Sequence, residues 1–289
     1  MKLALGTVQF GLAYGVANQG GQVPAEEVGA IVRHAQSIGI DTLDTAIGYG
    51  ESERRLGEVG VIGWQVISKV PAIPEGCPDV LQWMTASVHA SLERLGVSTL
   101  YGLLLHKPDQ LLSAAGPELY AALLSLRNQG LVRKIGVSIY APPELDALCG
   151  PFQFDLVQAP FNLLDRRLIV SGWLSRLADA GIEVHARSVF LQGLLLMPDD
   201  RRPPWFDRWA PLWASLAGWL RESGQTPLEA CLRDALSIKA ISKVVVGVDS
   251  LGQLQEIVAA ADGAAPVLPD ALRTSDADLL NPARWSASA

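Results

Sequence analysis

Four residues of this 289-residue chain are of the types that together move a proton onto a carbonyl oxygen. Asp44 and Tyr49 stand five apart in Asp41-Thr-Leu-Asp44-Thr-Ala-Ile-Gly-Tyr49, Lys69 closes Val66-Ile-Ser-Lys69, and His106 follows Leu103-Leu-Leu. A carboxylate holds a lysine in its charged form, the ammonium favours ionisation of a nearby phenol, and the phenol becomes a usable acid or base near neutral pH. Taken singly each residue is ordinary: Asp44 suits a turn or a helix cap, and Tyr49 suits an exposed aromatic. Their placement changes that, because each closes or follows a short apolar run of strand type. Four strand ends would then deliver an acid, a phenol, an ammonium and an imidazole to one rim.

The elements that must position them alternate along the chain. Leu3–Leu5, Thr42–Asp44, Gln65–Ser68, Leu100–Leu105, Lys134–Val137, Leu156–Gln158, Ile182–Ala186 and Val244–Val246 read as eight strands. Helical stripes lie between them, as in Pro24 to Ile38, where Val28, Ile31, Val32, Ala35 and Ile38 recur at helical spacing and Gly39 provides a left-handed stop. Gly96, Gly130 and Gly181 punctuate later helices in the same way. Eight strands separated by helices predict a closed (β/α)8 TIM barrel, for which a chain of this length is ordinary. The whole of 1–289 reads as a single domain, since no linker divides it. In such a barrel the active site lies at the C-terminal strand ends, where Asp44, Lys69 and His106 fall. One stretch breaks the rhythm: Pro198-Asp-Asp-Arg-Arg-Pro203-Pro204-Trp205 and a helix bearing Trp209, Trp213 and Trp219 predict an enlarged loop and helix insertion after strand seven. From Pro198 to Trp213 this insertion is expected over the open rim, its rings forming a substrate wall, although a face buried against the barrel is an equally good reading.

Composition narrows the function classes. A net charge of −7 without a Lys/Arg cluster argues against a nucleic-acid partner. Cys77, Cys149 and Cys231 are scattered, odd in number and without Cys-x-x-Cys spacing, so neither a disulfide framework nor a metal site is expected, and a reducing cytoplasm fits. No run is long enough to span a membrane, and the N-terminus enters a strand directly instead of an apolar leader. His34, His89 and His185 read as structural, and Glu51-Ser-Glu-Arg-Arg55 as a solvated helix start.

With these residues in place, the chain resembles the aldo-keto reductase superfamily nearly from end to end. The resemblance is carried by Leu5-Gly-Thr-Val-Gln-Phe-Gly11, Asp44 through Tyr49-Gly-x-Ser52-Glu53 and Leu56-Gly57, Lys69, His106 and Lys134-Ile-Gly136-Val-Ser138. It continues through Val157-Gln158-Ala-Pro-Phe161-Asn162, Arg187-Ser188-x-Phe-Leu-Gln192-Gly193 and Val246-Gly247-x-x-Ser250-x-x-Gln253-Leu254. It implies NAD(P)H-dependent reduction of a small-molecule aldehyde or ketone, with NADP(H) by family precedent and NAD(H) not excluded. By matching position, Tyr49 would be the general acid, Lys69 paired with Asp44 would tune it, and His106 would hydrogen-bond the substrate oxygen. Ser138 and Gln158 match residues that hold the nicotinamide carboxamide, and Arg187 one that stacks on the ring. Gly6, Thr7, Ser188, Gly247, Ser250, Gln253 and Glu256 complete the implied cofactor surface.

The chain also departs from the family pattern. Ile139 follows Ser138 where many members carry Asn, Gly247 and Gln253 stand where a Lys and an Arg grip the 2′-phosphate of NADP, and Ile257 replaces an Asn that touches adenine. Asp249 lies between the two altered positions, which weakens any inherited NADP preference. The first segment, with Val8-Gln9-Phe10-Gly11 and Tyr14-Gly15, looks like members associated with sugar metabolism. A rival function is a cofactor-binding, redox-sensing regulatory protein with little turnover, since some members of this fold act so.

Overall fold

The computed structural model describes residues 1–285. Eight parallel strands close into a barrel in strict sequence order: β1 Leu3–Gly6, β2 Thr42–Asp44, β3 Gln65–Val70, β4 Leu100–Leu105, β5 Val132–Ser138, β6 Leu156–Pro160, β7 Glu183–Arg187 and β8 Lys243–Gly247. β8 returns to β1 with Gly6 opposite Gly247, and Gly6 is also in register with Asp44 on β2. The (β/α)8 expectation therefore holds, with strand ends shifted by a residue or two. Several ladders run past the last apolar residue, since Gly6, Ser138, Arg187 and Gly247 still pair their backbones.

Side-chain alternation divides the core in two. Residues facing outward, such as Leu43, Val66, Leu103, Val137, Val157 and Val184, join the helices in one large cluster. Ile67, Leu104 and Leu156 form a small separate cluster inside the barrel. Two residues further on from each stand Lys69, His106, just past the end of β4, and Gln158, so the alternation that buries those three apolar side chains in the barrel also aims the polar ones into its mouth.

The helices are amphipathic as their spacing predicts. Ala25–Ser37 buries Val28, Ile31, Val32 and Ala35, and Val80–Leu95 is capped by Asp79, whose carboxylate accepts from the Gln82 amide at 2.8 Å. Gly39, Gly96, Gly130 and Gly181 all take the positive φ expected of helix stops. Helix Ser52–Val59 departs from the reading of a solvated start. Arg54 faces solvent, but Glu53 is 1% exposed and accepts from Ser68, Ser91 and Arg94. A buried carboxylate so fully paired ties this helix to β3 and to helix Val80–Leu95, a contact that local charge pattern does not reveal.

The insertion after β7 consists of short 3-10 turns and helix Ala210–Ser223, followed by helix Pro227–Ser237. Its tryptophans do not reach the barrel mouth. Trp205, Phe206 and Trp209 stack on one another at centroid distances of 4.9 to 6.1 Å, and Trp285 sits edge-on to Phe206 at 5.0 Å. Trp209 donates to Asp276, Trp213 to the Phe206 carbonyl and Trp219 to the Val267 carbonyl, so these three indole N–H groups are satisfied within the fold. The expected tryptophan substrate wall is thus corrected: the rings fasten the insertion to the C-terminal segment. Among the described residues no helix is long and apolar enough to cross a membrane.

Candidate active site

Asp44 ends β2, and the loop after it is tied down residue by residue. The Thr7 hydroxyl donates to the Asp44 carbonyl at 3.0 Å, and the buried Ser52 hydroxyl donates to the Thr7 carbonyl at 2.8 Å and lies 3.1 Å from the Thr45 hydroxyl. Tyr49 sits in the turn between them, its amide bonded to the Ala46 carbonyl and its carbonyl to the Ser52 amide, both at 3.0 Å. The first turn after β1 packs directly on this loop. A Cβ at Gly11 would fall 1.7 Å from the Tyr49 carbonyl oxygen, so only glycine lets the two segments meet.

Beneath Tyr49 lies a buried ion pair. Lys69, 1% exposed, donates to Asp44 Oδ1 at 2.9 Å, to Oδ2 at 2.8 Å and to the Thr45 carbonyl at 2.9 Å, which uses all three of its protons. Gln158 Nε2 adds a fourth contact by donating to Asp44 Oδ1 at 2.6 Å. Burial opposes the charge on Lys69, but Asp44 and then Tyr49 more than offset it and hold the ammonium above its ordinary range. Lys69 Nζ stands 5.1 Å from the centre of the Tyr49 ring, and His106 meets the same ring edge-on at 5.9 Å. Burial, together with the Lys69 and Arg187 charges, pushes His106 down to about 4, so at neutral pH it is an uncharged imidazole with one N–H to give.

These groups open into a cavity of about 700 Å3 at the C-terminal end of the barrel. Asp44, Tyr49 and His106 line it, while Lys69 lies behind Asp44. Of the residues expected on the cofactor surface, Gly6, Thr7, Ser138, Gln158 and Arg187 line the cavity, and so do Ser188, Gly247, Gln253 and Glu256. Ser250 does not. Its hydroxyl caps helix Leu251–Ala260 by accepting from the Gln253 amide at 3.2 Å, and that bond fixes the helix start beside the cavity. Ser138 and Gln158 are side by side, the hydroxyl 3.4 Å from the amide oxygen. Arg187 lies over the Tyr140 ring at 4.6 Å and donates to the Ile139 carbonyl at 2.9 Å. His185 stays outside the cavity wall, buried 3.7 Å from Glu183.

Further cavity residues come from loops without periodic pattern. The segment after β1 reaches across to the β7 and β8 loops: Gln192 Nε2 donates to the Tyr14 hydroxyl at 3.0 Å, the Ala17 amide to the Gln192 carbonyl at 3.4 Å, and Asn18 to Asp249 at 3.1 Å. Burial and the adjacent Tyr49 push the Tyr14 hydroxyl up, and burial raises Asp249 against its bonds from Asn18 and Gln253. In the β7 loop Ser188, Leu191 and Gln192 all have φ between 48° and 61°, a left-handed conformation that costs non-glycine residues roughly 1–3 kcal/mol each and clusters at functional sites. The insertion contributes its beginning, Leu196, Met197, Pro198 and Arg201, to the cavity. Three strained residues in one loop are visible only in three dimensions.

This geometry can be set beside known proteins. A model of the aldo/keto reductase family matches residues 2–267. The chain belongs to the aldo/keto reductase family. Among curated relatives of this aldo/keto reductase, L-galactose dehydrogenase of Arabidopsis thaliana is 28% identical over 83% of this chain and 79% of that protein. D-threo-aldose 1-dehydrogenase of a Pseudomonas species is 28% identical over 66% of this chain and 69% of that protein. Among solved structures, the holo form of an aldo-keto reductase from Bacillus halodurans superposes with a TM-score of 0.72, covering 92% of this chain and 88% of that one at 20% identity. That last likeness concerns the fold. Family membership makes the chain a carbonyl-type oxidoreductase acting on small molecules.

Proposed function

We propose that this aldo/keto reductase interconverts an aldehyde or ketone and its alcohol, or a sugar hemiacetal and its lactone, using a nicotinamide dinucleotide, with Tyr49 as the general acid. The observation that carries the reading is the charged, fully bonded Lys69 held 5.1 Å from the Tyr49 ring at the floor of the cavity. In the reducing direction the Tyr49 hydroxyl donates its proton to the carbonyl oxygen, and the Lys69 charge stabilises the phenolate left behind. His106, being neutral, donates its N–H to the same oxygen and orients it. Asp44 keeps Lys69 charged and in line. The relatives that act on an aldose and on galactose, as their names state, make a sugar-related carbonyl the favoured substrate class.

The cavity wall suits the cofactor that the family implies. It offers glycines at the ends of β1 and β8, the start of a ten-residue helix and the Ser138–Gln158 pair. The nicotinamide, when bound, supplies the hydride to the carbonyl carbon. Ser138 and Gln158 would hold its carboxamide, Arg187 would face the ring, and Gly6, Thr7, Ser188, Gly247, Gln253 and Glu256 would line the remainder. NADP(H) follows family precedent, and the acidic Asp249 and Glu256 leave NAD(H) acceptable.

The test is a cofactor-oxidation screen over aldehydes, ketones and aldoses with NADPH and NADH, repeated with Tyr49→Phe. The substitution removes the transferable proton and little volume, so dinucleotide binding should persist while turnover falls about 10²–10⁴-fold. Reduction of a good substrate at an unchanged rate by Tyr49→Phe would remove Tyr49 from the role of acid.

A further inference from the structure

Asn162 follows β6 and is 1% exposed; it does not line the cavity, yet both polar atoms of its side chain are used. Its Oδ1 accepts from the Leu164 amide at 3.0 Å and from the Asp165 amide at 2.9 Å, and its Nδ2 donates to the Ser188 carbonyl at 3.2 Å. Two amides on one side and a carbonyl on the other fix which way the carboxamide points. At the end of the β6–β7 pairing the Phe161 amide donates to the Arg187 carbonyl at 2.9 Å, so the Asn162 side chain takes the next place along that edge.

The residue it holds is strained. Ser188 is the first of the left-handed residues in the β7 loop, at φ 61°, a conformation that persists outside glycine only where the surroundings enforce it. It lines the cavity, and its hydroxyl accepts from Arg187 Nη1 at 3.1 Å. With the bond from Arg187 Nη2 to the Ile139 carbonyl and the contact on the Tyr140 ring, this fixes where the guanidinium stands. A bond to the Ser188 carbonyl thus reaches the cavity in two steps, from Asn162 to Ser188 and from Ser188 to Arg187.

Resting on the function proposed above, we infer that Asn162 is a positioning residue of the active site. It holds Ser188 left-handed, and Ser188 in turn holds the Arg187 guanidinium toward the place of the nicotinamide ring. Without the Asn162 donor Ser188 turns to an ordinary conformation, its hydroxyl leaves Arg187, and the cavity loses a fixed cation.

The experiment uses the full chain, native and with Asn162→Ser, Asn162→Asp, Ser188→Gly and the Asn162→Ser/Ser188→Gly pair. Serine and aspartate at 162 each keep an oxygen that can accept from the amides beyond it; aspartate has no donor for Ser188 and serine is too short to reach it. Serine, being uncharged, decides the matter if the buried carboxylate prevents folding. In calorimetric titration with NAD⁺ and separately with NADP⁺, without carbonyl substrate, Asn162→Ser should weaken both about three- to tenfold. In Ser188→Gly, where the loop is left-handed without help and the hydroxyl is already gone, the same change should cost less than about twofold. A second readout needs no dinucleotide. Burial and the Lys69 and Arg187 charges hold the His106 imidazole at about 4, and Asn162→Ser should raise its midpoint in an NMR titration as Arg187 moves away. Unchanged affinity for both dinucleotides overturns the inference, as does an equal cost in both backgrounds, which a purely structural asparagine would give. A His106 midpoint that stays in place overturns the link to Arg187. Native protein that binds neither dinucleotide would instead overturn the proposed function, with the His106 midpoint still deciding whether Asn162 places Arg187.

Discussion

Replacing Lys69 by Met separates chemistry from stability at the buried pair. The cation stands 5.1 Å from the centre of the Tyr49 ring, and at an effective dielectric of about 20 it favours negative charge developing there by on the order of 3 kcal/mol. Proton transfer at the Tyr49 oxygen in alcohol oxidation draws on that charge, so Lys69→Met should slow this direction about a hundredfold. Stability should fall as well, because Asp44 keeps only the Gln158 donor, and breaking a buried pair on one side costs about 3–5 kcal/mol. Steady-state pH profiles in the alcohol direction, with urea unfolding of the same preparations, separate the two effects. The added change Asp44→Asn should restore part of the stability and none of the rate, since it removes the stranded charge without replacing the cation. An alcohol-oxidation profile superimposable on that of the native protein would refute the reasoning, whatever the loss in stability.

Other outcomes follow from the same geometry. His106 is pushed down to about 4, so its folded form binds protons less readily than the unfolded chain; its contribution to stability should be intact above about pH 6.5 and decline as pH falls toward 4, a loss His106→Gln should lessen in unfolding titrations. NADPH and NADH should be discriminated weakly, because charge-assisted bonds of roughly 1.5–3 kcal/mol each are missing at Gly247 and Gln253 and Asp249 repels the phosphate; a thousandfold preference for NADPH, abolished by Arg201→Ala, would identify Arg201 as the substitute. Trp209→Ala should lower stability by about 3–5 kcal/mol with kcat and KM unaltered, as the ring packs against Trp205 and bonds Asp276 outside the cavity, and a raised KM at full stability would return it to the substrate wall.

The barrel and much of its site are legible along the chain, for local reasons. Eight short apolar runs separated by helical stripes admit few arrangements other than a closed parallel barrel. Side-chain alternation then puts Asp44, Lys69, His106, Ser138, Gln158 and Arg187 at one mouth as soon as the strands are placed. What the chain does not reveal depends on contacts between residues far apart in sequence. Glu53 looks solvated in its charge run and is buried because Ser68, Ser91 and Arg94 arrive from other elements. The tryptophans look like a substrate wall and instead find Asp276, the Val267 carbonyl and Trp285 on the returning C-terminal segment. Gln9 and Gly247, nearly the whole chain apart, become neighbours only when β8 closes on β1. Local pattern settles which face each residue shows, because backbone geometry repeats every few residues. Which distant side chain meets it there is decided by tertiary packing.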